Sequence, residues 1–336
     1  MISMLPLDSL MTSLAEDGVR VATLGMARGI PDPRAVARLA RLLRQWRPDV
    51  LHGHMVHANL LARLSRLLVR TPVLVSTIHN QDEGAQWRYV AYRLTDRLTD
   101  ATTTVSLVAV DESVRRGAVR RDRIRLIPNG IVIGDHHPDA VVRDRVRAEL
   151  GLSDRFIWLA VGRLTDAKAY PDMIDAFGRV FAADPRTHLL IAGEGPLQQD
   201  LQAAIDAAGL AAQIHLLGQR SDVPALMQAA DGFVMSSAWE GLPMVLLEAS
   251  ASALPIVATD VGGSRDAIIE GKSGHITPPG DPAALADAML AVMAMPADAQ
   301  LAMGEAAREH VVAFEMESVV DAWQDLYQRL LADARR

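Results

Sequence analysis

Short, uninterrupted apolar runs alternate with longer helix-like stretches along almost the whole chain, and this alternation constrains the fold more than any single motif. In the second half the runs are Phe156-Ile-Trp-Leu-Ala-Val-Gly, His188-Leu-Leu-Ile-Ala-Gly, Ile214-His-Leu-Leu-Gly, Gly232-Phe-Val-Met, Pro255-Ile-Val-Ala-Thr and Gly274-His-Ile-Thr. Helix-like stretches at residues 171–183, 197–208, 222–229 and 282–295 fill the gaps. Runs that are apolar throughout belong to strands buried on both faces, so this series predicts a parallel sheet with helices on either side. The first half repeats the pattern with Arg20-Val-Ala-Thr-Leu, Asp49-Val-Leu-His-Gly-His, Pro72-Val-Leu-Val-Ser-Thr-Ile-His79 and Thr103-Thr-Val-Ser. Two Arg-rich helical patterns and a stretch at 87–98 separate them. Two such series predict an α/β chain of two doubly wound, Rossmann-like domains with the ligand cleft between them.

The expected division is 1–133, 134–315 and a C-terminal helix within 316–336, where Met316, Val320, Trp323, Tyr327 and Leu330 fall at helical spacing. That helix either packs locally or crosses back to the first domain. Pro128-Asn-Gly130 marks a turn, and a possible hinge, in the connection between the domains. A chain of 336 residues, half of them apolar, is long enough to bury two cores. The absence of Cys excludes disulfides and Cys-based zinc sites. With neither a signal-like start nor an apolar run of about 18 residues, the cytoplasm is the expected compartment.

The net charge of −7 hides an asymmetry: counting Lys and Arg against Asp and Glu gives +6 for residues 1–150 and −13 for 151–336. The arginines concentrate at 34–47 and 59–70. In the first pattern Val36, Leu39, Leu43 and Trp46 form one stripe, which reads as a core-facing helix with a solvated basic side. The alternative is peripheral contact with an anionic membrane. Nucleic acid is not an expected partner, because aromatics are 4% of the chain and no binding motif is present.

The segment Ser236-Ser-Ala-Trp-Glu-Gly-Leu-Pro-Met-Val-Leu-Leu-Glu248 brackets a turn with two acids. Phe233-Val-Met reads as a buried strand, Gly241 as the turn and Pro243 as the first helical position. Helix-initial amides lack internal partners, so the backbone from Gly241 through Leu242 and Pro243 to Met244 suits phosphate oxygens. Glu248, further into the helix, can accept hydrogen bonds from a ribose diol. The bland alternative is that both acids are surface charges. Arg163 follows the strand ending at Val161, and Lys168 lies five residues on, so both can reach one anion at the strand's carboxyl end. His52, His54 and His57 cluster at the end of another strand. With only Asp49 close by, a metal site is not expected there, and packing is as good a reading as an acceptor contact.

Pro128-Asn-Gly130, Val161-Gly-Arg-Leu164 with Lys168, Ala192-Gly-Glu-Gly-Pro196, and Glu240 with Glu248 recur in this order in family 4 of the retaining glycosyltransferases, which the chain resembles over nearly its whole length. The resemblance implies the GT-B fold and transfer of a sugar from a UDP- or GDP-sugar to a saccharide or lipid-linked acceptor. The setting it implies is polysaccharide, exopolysaccharide or glycolipid assembly at the inner face of the membrane, with retention and without metal or other cofactor. It casts Arg163 and Lys168 as the diphosphate site and Glu240 as the acid facing the transferred sugar. Glu248 would hold the ribose, and the Gly241 to Pro243 backbone would lie near phosphate and sugar. His79 would reach the donor sugar from across the cleft, and Gly218 and Arg220 would lie beside the base. Two departures stand out. Ala169 occupies a position where the family commonly has Gly, and Met1-Ile-Ser-Met-Leu resembles the family's second strand, so the first strand and its Gly-rich turn look missing. A non-catalytic sugar-nucleotide-binding subunit and a GT-B epimerase are the alternative functions.

Overall fold

A computed structural model describes residues 1–6, 9–27, 30, 32–80 and 84–336, with residues 9 and 10 described in backbone only. The strands of the first half are β1 (Ile2–Ser3), β2 (Ala22–Thr23), β3 (Val50–His54), β4 (Val73–Ile78), β5 (Ala101–Thr104) and β6 (Ile124–Leu126). Those of the second are β7 (Phe156–Val161), β8 (Thr187–Ala192), β9 (Ile214–Gly218), β10 (Gly232–Met235), β11 (Ile256–Thr259) and β12 (Gly274–Thr277). Every strand pairing is parallel. The second sheet runs β12-β11-β10-β7-β8-β9, so the winding reverses between β7 and β10. At such a reversal the connecting loops leave on opposite faces of the sheet and open a crevice at the strands' carboxyl ends.

The continuity of the apolar runs has its expected consequence. Trp158, Leu189 and Val234 join one core cluster, while Leu159, Leu190 and Phe233, their neighbours in sequence, join another. Successive strand side chains point to opposite faces, so the sheet buries both.

The first half carries the four-stranded sheet β3-β4-β5-β6. Among the described residues, β1 and β2 pair only with each other. A cavity of about 300 Å³ lies between that pair and β3, lined by Ile2, Met4, Leu24, Leu39, Leu51 and Leu61 among others. The helix Met316–Ala334 returns to the first sheet, where Val319 and Leu326 join Val73, Val75, Ala101 and Ile127 in one cluster. The crossing is held at the Pro-Asn-Gly turn: Ile131 N donates to the Phe314 carbonyl and Met316 N to the Ile131 carbonyl, each at 2.9 Å. Gly130 sits so close to this junction that a Cβ there would lie 3.0 Å from Met316 Sδ. Among the described residues, no single helix is long and apolar enough to cross a membrane.

Several boundaries differ from the sequence reading. β5 starts at Ala101 rather than Thr103, because Thr102, Thr103 and Thr104 are buried and two of their hydroxyls bond inside the fold, Thr103 to Thr77 (2.6 Å) and Thr102 to Arg63 (3.0 Å). The second Arg-rich helix spans Val56–Ser65 rather than 59–70; after Ser65 the amides of Leu67, Leu68 and Val69 turn back onto Leu64 and Ser65 carbonyls. Arg63, within the second Arg-rich pattern, is wholly buried and donates to Ser76, Thr95, Thr102 and the Tyr92 carbonyl. Helices Ala140–Glu149 and Ala297–Val311 and the edge strand β6 had no counterpart in the expected elements.

Candidate functional site

The site forms where β7 and β10 end side by side. After β7 the chain makes a 3-10 turn, Asp166–Lys168, and passes through Ala169 at φ 44, ψ 43 before the helix Tyr170–Ala183. After β10 it runs through Ser236 to Pro243 into the helix Met244–Ala251. The two loops are tied together: Ser236 Oγ donates to the Lys168 and Ala169 carbonyls (2.7 and 3.1 Å), and Ala238 N to the Ala167 carbonyl (2.8 Å). This pinning brings Lys168 Nζ to 2.6 Å from Glu240 Oε1, with Ser237 Oγ donating to the same oxygen at 2.7 Å. Both charged side chains are more than four-fifths buried. Below them, Tyr170 donates to the Gly162 carbonyl at 3.1 Å, and burial pushes its phenol well above the usual range.

A third loop completes the floor. Gly193 and Gly195, after β8, lie against the backbone of Gly162 and Leu164, where a Cβ on Gly193 would fall 2.0 Å from the Gly162 carbonyl oxygen. Only glycine permits two backbones to run this close. Between them Arg163 is exposed, and among the described residues its guanidinium has no hydrogen bond or ion pair. An unpaired cation thus stands on the same loop as the Lys168 ammonium.

The first half supplies the opposite wall. Gly241 abuts the His79 carbonyl, where a Cβ on Gly241 would lie 1.8 Å from that oxygen. Leu107 N, at the start of the helix Leu107–Arg115, donates to Asp266 Oδ2 at 3.0 Å, a second tie between the halves. Burial raises the Asp266 carboxyl. His79 Nε2 lies 2.9 Å from His54 Nδ1. Behind them His52 bonds Thr77 Oγ1 and Tyr327 of the C-terminal helix, both at 2.6 Å. Burial, and then mutual repulsion among the rings, lowers His52 to about 3 and His79 to about 4, and burial alone lowers His54. All three are therefore neutral at pH 7. Among the described residues no group of three or more His, Asp or Glu is arranged to hold a metal ion.

The remaining candidate residues fall into place unevenly. Leu242 is buried and Pro243 is the N-cap, with φ −68 and ψ 111, so the helix opens at Met244, one residue later than expected. Glu248 is half-buried on that helix without a side-chain hydrogen bond among the described residues, and burial raises its pKa. Gly218 ends β9 at φ 67 and accepts from Gly193 N at 2.8 Å, which places it beside the Gly193 loop. Arg220 is committed elsewhere: its guanidinium makes two bonds to the Asp222 carboxylate, at 2.8 and 2.6 Å. The sequence reading passed over Ser237 and Asp266, because nothing in a lone Ser or Asp announces its partner. Ser237's place at the end of an apolar strand was the one available signal.

Two doubly wound units whose facing loops converge on a cationic switch point constitute the GT-B architecture. The family description "Glycosyl transferases group 1" matches residues 142–310, and "Glycosyltransferase Family 4" matches residues 10–135. The chain belongs to the group 1 glycosyltransferases. It is 32% identical over 322 residues to a glycogen synthase of Mycobacterium tuberculosis, covering 90% of this chain and 74% of that one. It is 28% identical over 247 residues to the Escherichia coli UDP-Gal:alpha-D-GlcNAc-diphosphoundecaprenol alpha-1,3-galactosyltransferase, covering 70% of this chain and 64% of that protein's length. Among solved structures, Anabaena HepE in complex with UDP superposes with a TM-score of 0.86 at 22% identity, over 98% of this chain and 92% of that one.

Proposed function

We propose that the protein transfers a sugar from a nucleoside diphosphate sugar to a saccharide or lipid-linked acceptor, with retention at the anomeric carbon and without a metal ion. The observation that carries this reading is the Lys168–Glu240 contact of 2.6 Å at the β7/β10 reversal, with Arg163 on the same loop as Lys168. Glu240 uses one of the three N–H groups of Lys168. The others, with the Arg163 guanidinium and the amides leading into the helix Met244–Ala251, supply positive charge for a diphosphate.

As the bond between the anomeric carbon and the phosphate oxygen breaks, negative charge develops on the leaving nucleoside diphosphate. Cations fixed at that position stabilise it without reorganising, an effect worth about 3–4 kcal/mol for one well-placed donor. The acceptor hydroxyl bonds to the anomeric carbon on the face the phosphate leaves, and its proton passes to the departing phosphate oxygen. Glu240, anchored by Lys168 and Ser237, faces the transferred sugar, and Glu248 takes the ribose diol. His79, neutral and joined to His54, contributes to the sugar from the opposite wall. A diphosphoundecaprenol acceptor is named for the E. coli relative, which supports a lipid-linked acceptor here.

The test has two stages. A thermal-shift panel of nucleoside diphosphates identifies the donor base, because a ligand that binds only the folded state raises apparent stability. The matching labelled sugar nucleotide is then incubated with membrane lipid extract and with oligosaccharides, and the anomeric configuration of the product is read by NMR. Binding without transfer to any acceptor would replace this reading with that of a non-catalytic subunit, and an inverted product would remove the retaining mechanism.

A further inference from the structure

β3 and β4 run in parallel with His54 opposite Thr77, so His52, His54, Thr77 and His79 fall on one face of the first sheet. The rings form a short row on that face. His52 is fixed at both nitrogens by Thr77 and Tyr327, with the Trp323 ring 4.7 Å away. The His54 ring lies 4.1 Å from His52, and the His79 ring 5.2 Å from His54. The contact of 2.9 Å between His54 Nδ1 and His79 Nε2 is the only hydrogen bond of the His79 side chain among the described residues. Whatever aims that imidazole therefore acts through His54.

The backbone around His54 is held in a conformation that a chain does not adopt without constraint. Met55, the next residue, has φ 72 and ψ 154, a region that is essentially reserved for glycine. The surroundings enforce it. Met55 N donates to the Thr77 carbonyl at 3.2 Å, and the Met55 carbonyl accepts from Asn59 N at 2.9 Å. The buried Asn59 side chain donates to the same Thr77 carbonyl at 2.8 Å, and a Cβ on Gly53 would lie 2.8 Å from Asn59 Oδ1. The residues on both sides of His54 are thus pinned to β4 and to the helix Val56–Ser65, so the strain sits where it fixes the direction in which His54 leaves the strand.

We propose that His54 is a positioning residue that holds His79 as its Nε2–H tautomer and leaves His79 Nδ1 free to accept a hydrogen bond from a hydroxyl of the transferred sugar. Both rings are neutral at pH 7, so each carries one N–H, and a bond between Nδ1 of one and Nε2 of the other requires one of these atoms to be bare. If His79 Nε2–H donates to His54 Nδ1, both rings carry their proton on Nε2, the tautomer that a histidine side chain favours in water. The reverse bond would force both rings into the less favoured Nδ1–H form. His52, bonded at both nitrogens, gives the His54 ring a fixed surface to lie against. The sugar as the partner of Nδ1 rests on the reaction proposed above; the tautomer does not.

The test is long-range proton–nitrogen NMR of the full chain with 15N-labelled histidine at pH 7, in which the nitrogen shifts of each ring report its tautomer and His54 and His79 are assigned by substitution. Three variants separate hydrogen bonding from packing. His54→Asn places an amide oxygen near the position of Nδ1 and should keep His79 as Nε2–H. His54→Phe keeps a ring against His52 but offers no acceptor, and His54→Ala removes both, so in each the His79 nitrogen shifts should move toward the average of two exchanging tautomers. In transfer assays His54→Phe and His54→Ala should lower kcat/KM for the sugar nucleotide by about tenfold, the worth of one hydrogen bond, with His54→Asn closer to the native value and the affinity for the nucleoside diphosphate alone unchanged in all three. His79 as Nδ1–H in the native chain, His79 shifts unmoved in His54→Phe, or rescue by Phe where Asn fails would overturn the proposal. Because the spectra need no turnover, a protein that transfers no sugar would defeat the reaction proposed above while the tautomer is still decided.

Discussion

Lys168 and Glu240 stand 72 residues apart in sequence, yet their Nζ and Oε1 atoms lie 2.6 Å apart, each delivered by a loop that leaves one of two adjacent strands. The pair is more than four-fifths buried, so removing either member would leave the other buried without its partner. It thereby sets a positive and a negative group at fixed positions in the cleft, to which the reaction proposed above gives the phosphate and the sugar.

Separating these roles needs substitutions that keep the hydrogen bonds. Glu240→Gln retains an acceptor for Lys168 and Ser237, so the fold should persist while kcat falls by about 10²–10³, the usual cost of losing one preorganised electrostatic contact. Lys168→Ala should lower kcat comparably and also reduce nucleoside diphosphate affinity, which Glu240→Gln should leave nearly unchanged. Steady-state kinetics with calorimetric titration of the diphosphate checks both. Equal loss of diphosphate affinity in the two variants would remove Glu240 from the sugar side.

Ala169 carries a cost that the sequence departure foreshadows. At φ 44 and ψ 43 it adopts the left-handed conformation, in which a Cβ crowds the following carbonyl. Ala169→Gly removes that crowding but adds freedom to the unfolded chain, so the net expectation is a gain of roughly 0.5–1 kcal/mol. Urea unfolding monitored by circular dichroism measures it, and a loss of stability would show that the methyl group has a packing role outweighing the strain.

Gly241 tests whether contact between the halves matters to turnover. A methyl group there would meet the His79 carbonyl oxygen at 1.8 Å, a backbone clash that no side-chain rotation relieves. The nearest relief is to part the two halves, which Leu107–Asp266 and the returning C-terminal helix then hold less closely. Gly241→Ala should widen the particle in small-angle scattering and lower kcat/KM by at least about 10², the cost of a misplacement near 1 Å. A variant with unchanged scattering and turnover would mean that the contact is incidental.

The legible parts of this molecule were those governed by local periodicity or by the order of motifs. Continuous apolar runs such as Phe156 to Val161 announced strands buried on both faces, and the helix Tyr170–Ala183 began one residue from its expected start. β5 was read two residues late because three of its four residues are threonines, whose burial depends on partners such as Thr77 and Arg63. The burial of Arg63 was illegible for the same reason: helical spacing fixes which residues share a face, whereas the sheet hydroxyls decide whether a guanidinium can enter. At the site, the ordered motifs pointed to Lys168 and Glu240, but their direct contact, Ser237 as its second anchor and Asp266 as a tie between the halves are tertiary facts. Arg220 looked available for the base and instead closes on Asp222, two residues on.

The histidine cluster should make stability depend on pH in a defined window. Burial and mutual repulsion lower His52 to about 3 and His79 to about 4, from an ordinary value of 6.5. Above pH 6.5 neither the folded nor the unfolded chain carries protons on these rings, so the stabilising contacts His52–Tyr327, His52–Thr77 and His54–His79 are fully present. Below 6.5 the unfolded chain binds protons first, and each pH unit shifts the balance toward it. The loss continues to about pH 4 for His79 and about pH 3 for His52, where the native rings also protonate. His52 links the first sheet to the C-terminal helix, so protonation should also loosen that helix through Tyr327. Urea midpoints measured between pH 7 and 4.5 should fall steadily for the native chain and less steeply for His52→Asn. The variant begins less stable at pH 7, since Tyr327 and Thr77 lose their partner, but it has one fewer proton to gain on unfolding. An equal slope in both proteins would assign the acid sensitivity to other groups.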